Sequence, residues 1–237
     1  MNAASTIAVN GYKGIVILSG AGISVASGIA PFRGPGGLWT DHDIERCATA
    51  QALARTPEVV WNAFASLRTN SRTTKPNATH YALAELEKKH PYTTILTQNI
   101  DGLHQAAGSK NVLELHGNIH RTRCTKCQRE PFYDTNDKYR TCELCGAPLR
   151  YDIVLFNENL DFDVITQASS AVNHCQLFIA TGTSGIVYPA AGFAYEAKRC
   201  GARTVLVNLE DLSNSSNLYD EQHIGKAEEI FPTLFKY

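Results

Sequence analysis

Two CxxC knuckles, Cys124-Thr-Lys-Cys127 and Cys142-Glu-Leu-Cys145, stand mid-chain with residues 128–141 between them. The spacing is close to that of a zinc ribbon, in which four thiolates surround one tetrahedral ion. Four sulfur ligands leave no open position for a reactive water, so the ion expected is one structural Zn2+; a pair of redox dithiols is the alternative. The segment carrying the knuckles, about 118–150, is polar, rich in Arg, Lys and Thr, and lacks a sustained apolar period. It holds too few apolar residues to fold alone, so metal binding would supply its folding free energy. Such a segment reads as a small module inserted into a larger body.

The flanking sequence supplies that body. Apolar runs bounded by turn residues at Gly14 to Leu18, Tyr92 to Leu96, Asn111 to Leu115, Gln176 to Ala180 and Arg203 to Val207 read as buried parallel strands. Helical spacing falls between them, at Pro57 to Arg68, Thr79 to Lys89, Phe162 to Val172 and Pro189 to Cys200. Pro57 and Pro189 suit a first helical turn, and Gly108 and Gly201 suit positions just past a helix end. The alternation predicts an α/β fold: a doubly wound, parallel-sheet, Rossmann-like large domain with an inserted small zinc-ribbon module. The expected division of residues 1–237 gives the Rossmann-like part 10–40, 90–117 and 151–237. A helical and loop insertion takes about 41–89, and the zinc module about 118–150. Ligands of such sheets bind beyond the carboxyl ends of the strands. The stretch Ala30 to Ala50, with Pro31, Pro35 and three glycines, lies at that end and reads as a mobile lid.

Charge narrows the partners. The 22 Lys+Arg against 23 Asp+Glu give a formal charge of -1, no basic excess with which to hold a nucleic acid or an anionic membrane. No charged leader precedes a long apolar run, and no stretch approaches about 18 apolar residues, which predicts a soluble, cytoplasmic protein. The remaining cysteines, Cys47, Cys175 and Cys200, read as partly buried thiols.

The strand Ile15-Val-Ile-Leu runs into Gly20-Ala21-Gly22-Ile23-Ser24, a turn of the kind that brings backbone N–H groups and a helix N-terminus to a diphosphate. Val25 stands where the usual dinucleotide fingerprint has a third glycine, which disfavours an oxidoreductase; taken alone, the turn is as readily structural. Asn99 and Asp101 follow the second strand, placed to project into the crevice or to cap the next helix. His116 ends another strand, either as a structural residue or as a general base with an ordinary pKa near neutrality.

Their order adds what each lacks singly. The run Gly20-Ala-Gly-Ile-Ser-Val-Ala-Ser-Gly-Ile-Ala-Pro-Phe-Arg33-Gly precedes Thr97-Gln98-Asn99-Ile100-Asp101-Gly102-Leu103-His104, then Leu115-His116-Gly117, the four cysteines, Gly182-Thr183-Ser184 and Asn208-Leu209-Glu210. Across roughly Lys13 to Leu234 this series resembles the sirtuin family. The resemblance implies an NAD-dependent protein lysine deacylase, most simply a deacetylase. It implies an NAD site made by Gly20, Ala21, Gly22, Ile23, Ser24, Phe32, Arg33, Trp39, Gln98, Asn99, Ile100, Asp101, Gly182, Thr183, Ser184, Asn208, Leu209, Glu210 and Ala227. Asn99 and Asp101 would bind nicotinamide and position the ribose and a water. The acyl-lysine carbonyl oxygen would attack C1′ of the ribose and expel nicotinamide; His116 would then deprotonate a ribose hydroxyl, and water would complete release of lysine and 2′-O-acyl-ADP-ribose. Protein substrates would lie as an added strand between Val154 to Glu158 and Gly185 to Tyr188, with Val154, Phe156 and Val187 in contact, although Phe156 and Val187 are equally readable as core residues.

The chain departs from the family at Ala26, Ala30-Pro31 and Asn157. Most consequential, Phe64 and Leu67 stand where relatives that accept succinyl-lysine have Tyr and Arg. Arg68 is one residue further, about 100° around a helix, and reads as a solvated charge or as a compensating reach into the acyl pocket. The competing readings are ADP-ribosyl transfer to a side chain, plain NAD hydrolysis, and a non-catalytic NAD or zinc-ribbon binding protein.

Overall fold

The computed structural model describes residues 6–31, 37, 46–184, 190–210 and 217–237. The chain enters through β1 (Ile7–Ala8) and β2 (Ile15–Ser19), the latter buried at every residue. Three helices follow: α1 (Ala50–Arg55), capped by the Thr49 hydroxyl, α2 (Pro57–Thr73), with Pro57 in its first turn, and α3 (Ala78–Lys89), capped by Asn77. Next come β3 (Thr93–Thr97), α4 (Leu103–Ala106) and β4 (Val112–Glu114). An antiparallel unit of β5 (Gly117–Cys124), β6 (Phe132–Tyr133) and β7 (Leu149–Ile153) interrupts, in the order β6-β5-β7. The alternation resumes with α5 (Phe162–His174), β8 (Leu177–Thr181), α6 (Ala190–Arg199), β9 (Arg203–Asn208), β10 (Glu221–Ile224) and α7 (Ala227–Leu234). Last, β11 (Phe235–Lys236) pairs with β1.

The six core strands run parallel in the order β10-β9-β8-β2-β3-β4. Strand order therefore reverses between β2 and β8, the switch point at which a doubly wound sheet opens a crevice. Alternate residues serve opposite faces, as a pleat of period two requires. Val16, Leu18, Phe178 and Leu206 pack with α5 and α6, while Ile15, Ile17, Ile179 and Val205 pack with α3 and α7. A third cluster joins Val60, Trp61 and Phe64 of α2 to Ile119, Leu149, Tyr151 and Ile153 of the antiparallel unit.

All five expected strands form, to within a residue or two at their ends. The antiparallel sheet starts at Gly117 and runs to Ile153, a little wider than the polar segment. Arg68 overturns both of its sequence readings. It is fully buried and points away from solvent, over the rings of Tyr151 (4.9 Å) and Trp61 (5.7 Å). Its guanidinium donates to the backbone carbonyls of Asp134 and Asn136, where Trp61 and Arg72 also donate, to Asp137 and Asp134. These side chains clamp α2 to the loop after β6, and the carbonyl dipoles compensate the buried charge. Cys175 is buried and Cys47 half-buried, but Cys200 is exposed. Among the described residues, no helix is long and apolar enough to cross a membrane.

Candidate functional site

Parallel register brings the motifs to one edge. Ser19 pairs with Thr97 and with Thr181, and Thr181 with Val207, so Gly20, Gln98, Gly182 and Asn208 all follow at the same carboxyl end. The glycines there serve a purpose that their local pattern conceals. Gly20 N donates to Thr181 O (3.0 Å) and Gly22 N to Gly182 O (2.9 Å), so these two N–H groups lock the β2 loop onto the β8 loop and are not free for a phosphate. A Cβ on Gly20 would lie 2.6 Å from Gly182 O, and one on Gly182 (φ +58) 2.5 Å from Ile23 N. The helix after the turn is a 3-10 segment, Ala21–Ser27, and not an α-helix. Gly182→Ala should cost at least about 1–2 kcal/mol from its left-handed φ alone, with the backbone clash added. Thermal unfolding checks this against Gly11→Ala, where nothing lies within 4 Å; equal melting temperatures for the two variants would remove the interlock.

Beneath the crevice lies a buried polar network. Asn99 Nδ2 donates to Gly20 O (3.1 Å) and Ser24 Oγ (3.2 Å); because a carbonyl only accepts, this fixes the amide's orientation. Asn99 Oδ1 is left buried without a partner among the described residues. Asp101 accepts from Ser24 Oγ (2.8 Å) and from Leu103 N (2.9 Å), so it caps α4 as well as facing the crevice. Burial pushes its pKa up, against those two hydrogen bonds. Ser19 Oγ donates to Thr97 Oγ1 (3.0 Å), which leaves His104 Nε2–H to donate to Ser19 Oγ (2.8 Å). Burial depresses His104 to about 3 and keeps the ring neutral. Thr97 and His104 are the two ends of one motif, and Ser19 lies at the end of β2; their contact is not legible until sheet register joins β2 to β3.

Ala21, Ser24, Leu67, Asn99, Ile100 and Asp101 line an open pocket. His116 lies beyond β4, with Nδ1 2.9 Å from Gln98 O. That carbonyl can only accept, so Nδ1 carries the proton and Nε2 presents a lone pair. Burial lowers its pKa, opposed by the Gln98 bond. Gln98 is itself held by Thr183 Oγ1 (3.1 Å). Ser184, Leu209 and Glu210 are exposed at the rim, and Asn208 Nδ2 donates to Glu210 O (3.1 Å). Ala227 packs in the core under the sheet, at the start of α7. Phe32, Arg33, Trp39, Val187 and most of the expected lid lie outside the described residues.

Phe64 and Leu67 do not share a pocket. Leu67 faces the polar one, whereas Phe64 lines a neighbouring, mostly apolar pocket with Ile153, Leu155 and Arg150. The loop from Val154 is pinned by Glu158, which forms an ion pair with Arg150 and accepts from Leu155 N (2.8 Å). Phe156, 43% exposed and so not a core residue, exchanges backbone hydrogen bonds with Ala48 and Ala50. Asn157 adopts φ +66, a left-handed conformation that asparagine tolerates better than most residues.

The four cysteine sulfurs lie within 4.8 Å of one another, with Cys124–Cys145 at 3.5 Å and Cys127–Cys142 at 3.7 Å. A tetrahedron of Zn–S bonds of about 2.3 Å places its sulfurs about 3.8 Å apart, so the donor set fits zinc.

The Sir2 family profile matches residues 20–189. An NAD-dependent protein deacylase of Pyrococcus furiosus is 40% identical over 227 residues, 92% of this chain and 90% of that one. The fold resembles that of a Sir2 homologue in complex with NAD, with TM-score 0.87, 36% identity, and 94% and 88% of the two chains covered. It also resembles a Sir2–p53 peptide–NAD+ complex, with TM-score 0.83, 32% identity, and 94% and 92% covered. With its motifs gathered at one sheet edge, the sheet order above and these matches over most of its length, the chain belongs to the Sir2 family.

Proposed function

We propose that this chain is an NAD-dependent protein lysine deacylase that passes the acyl group from lysine to the ADP-ribose part of NAD and releases nicotinamide. The observation that carries the reading is the switch-point pocket in which Asn99 Oδ1 is buried without a partner among the described residues. An orphaned acceptor costs about 1–3 kcal/mol unless a ligand donor meets it, and a carboxamide N–H of nicotinamide is such a donor. NAD, when bound, supplies the electrophilic ribose carbon. The chain's own groups then do the rest: Asn99 and Asp101 orient the leaving carboxamide and a water, and His116 Nε2 takes a ribose hydroxyl proton. The glycine interlock holds the loops that flank the cofactor. The peptide lies along Val154 to Glu158 as an added strand, beside the backbone pairing of Phe156 with Ala48 and Ala50.

Both positions that would read an acyl carboxylate are apolar, and Arg68 is committed to the carbonyls of Asp134 and Asn136. No Lys or Arg is among the described lining residues of the polar pocket, and Arg150, which lines the neighbouring pocket with Phe64, is held in an ion pair by Glu158. A succinyl carboxylate there would lose hydration without gaining a partner, a penalty of several kcal/mol. An alkyl chain gains about 0.8 kcal/mol for each buried CH2. Acetyl-lysine turnover is therefore expected to exceed succinyl-lysine turnover at least about tenfold in kcat/KM. One assay serves both points: nicotinamide release on a single peptide carrying acetyl-, butyryl- or succinyl-lysine, or none. Release that ignores the acyl group would favour NAD hydrolysis or ADP-ribosyl transfer; equal use of the succinyl form would place a cation in the pocket.

A further inference from the structure

The antiparallel unit touches the pocket through an irregularity in β5. Asn118 pairs with Asp152 and Thr122 with Tyr151, so Ile119, His120 and Arg121 are looped out of the ladder with β7. Bulges of this kind re-aim side chains, commonly beside functional sites. Here the bulge delivers Ile119 N to Ile100 O (2.9 Å) and His120 Nε2 to Asp101 O (3.0 Å). The carbonyl can only accept, so Nε2 carries a proton. The next residue, Gly102, sits at φ +73, and a Cβ there would meet His120 Cδ2 at 3.3 Å and Asn118 Nδ2 at 3.4 Å. The bulge is held in turn from behind, where His120 O accepts from Asp134 N (3.1 Å).

A glycine in the left-handed region leaves the preceding peptide free to rotate, because no Cβ opposes it. The Asp101 carboxylate is held by Ser24 and Leu103, but its carbonyl is held by His120 alone among the described side chains. We propose that His120 is a positioning residue for the reaction, fixing the Asp101–Gly102 peptide so that the Asp101 carboxylate keeps one direction into the pocket. This rests on the deacylase reading above. His120 acts through Asp101 and not on NAD or acyl-lysine directly. Burial, with Arg72 and Arg68 near, lowers its pKa, consistent with a neutral Nε2–H ring at neutral pH.

The test compares His120→Gln, which keeps a donor, with His120→Met, which has nearly the same length and none. The expected result is a fall of about tenfold in kcat for acetyl-peptide-dependent nicotinamide formation in the Met variant, equivalent to about 1.4 kcal/mol. Its KM for NAD and zinc content should stay within about twofold, and the Gln variant should recover most of kcat. A purely structural histidine would move melting temperature and leave kcat alone, and that result, or a Gln variant no better than Met, overturns the proposal. Nitrogen NMR of the wild-type imidazole gives an independent reading: protonated Nε2 with bare Nδ1 above pH 7 supports the contact, and the opposite tautomer overturns it. If wild-type protein releases no nicotinamide with any acyl-lysine peptide, the deacylase reading fails instead, and the tautomer still decides whether His120 holds Asp101.

Discussion

Replacing His116 with alanine is expected to abolish deacylation, by a factor of about 10² to 10⁴, while NAD binding changes little. The geometry separates the two effects. The imidazole is fixed by Nδ1–H donation to Gln98 O, which leaves Nε2 as the only nitrogen able to take a proton. The groups proposed to hold nicotinamide, Asn99 and Asp101, are anchored instead by Gly20, Ser24 and Leu103. Removal of the ring therefore deletes a base without unseating the pocket. Because burial lowers the His116 pKa from 6.5, the base is neutral at pH 7, and activity should fall only as pH drops below that ordinary value. Nicotinamide exchange and deacylation are to be measured separately. Near-normal deacylation in His116→Ala would end its assignment as base; loss of exchange to the same degree would move its role to the nicotinamide step.

What could be read from the sequence follows the range of the forces involved. The central aliphatic strands, β2, β3 and β8, were legible because they are buried on both faces and announce themselves in five consecutive residues. The cysteine spacing was legible because a metal imposes fixed geometry on short segments. By contrast, β10 escaped notice: Glu221-Gln-His-Ile has one buried residue, His223, and is a strand only because β9 offers it an edge. The α7 helix contains Pro232 and follows a short loop, so its apolar face had no clear periodic frame. Arg68 was misread for a related reason. A charge at that helical position looks solvated until Trp61, Tyr151 and the carbonyls of residues 134 and 136 are brought around it by the module. The glycine turn taken alone reads as readily structural as diphosphate-binding, and what its sequence does not show is that Gly20 and Gly22 meet Gly182, a contact between loops about 160 residues apart that no local pattern encodes.

Loss of the metal is expected to have the largest effect on stability. In Cys124→Ser, zinc and the fold of the antiparallel unit should disappear together, and a strong chelator should do the same to the wild-type protein. Structural zinc contributes about 10–16 kcal/mol in small ribbons at neutral pH, against about 5–15 kcal/mol for the net stability of a whole domain. The unit has little with which to compensate. Its contribution to the third apolar cluster is a handful of side chains, among them Cys124 and Cys142 themselves, packed with Leu149, Tyr151 and Trp61 of α2. The damage should therefore spread: the clamp formed by Trp61, Arg68 and Arg72 would lose the carbonyls it grips, and α2 carries Leu67 and Ser71 into the pocket wall. The six-stranded sheet has its own two apolar clusters and should persist, so unfolding followed by circular dichroism should show an early step that the zinc-loaded protein lacks. Zinc content and melting behaviour measured on the same samples check this. A Cys124→Ser protein that kept full thermal stability and lost only activity would mean that the ion takes part in the reaction, which four closed thiolate ligands should forbid.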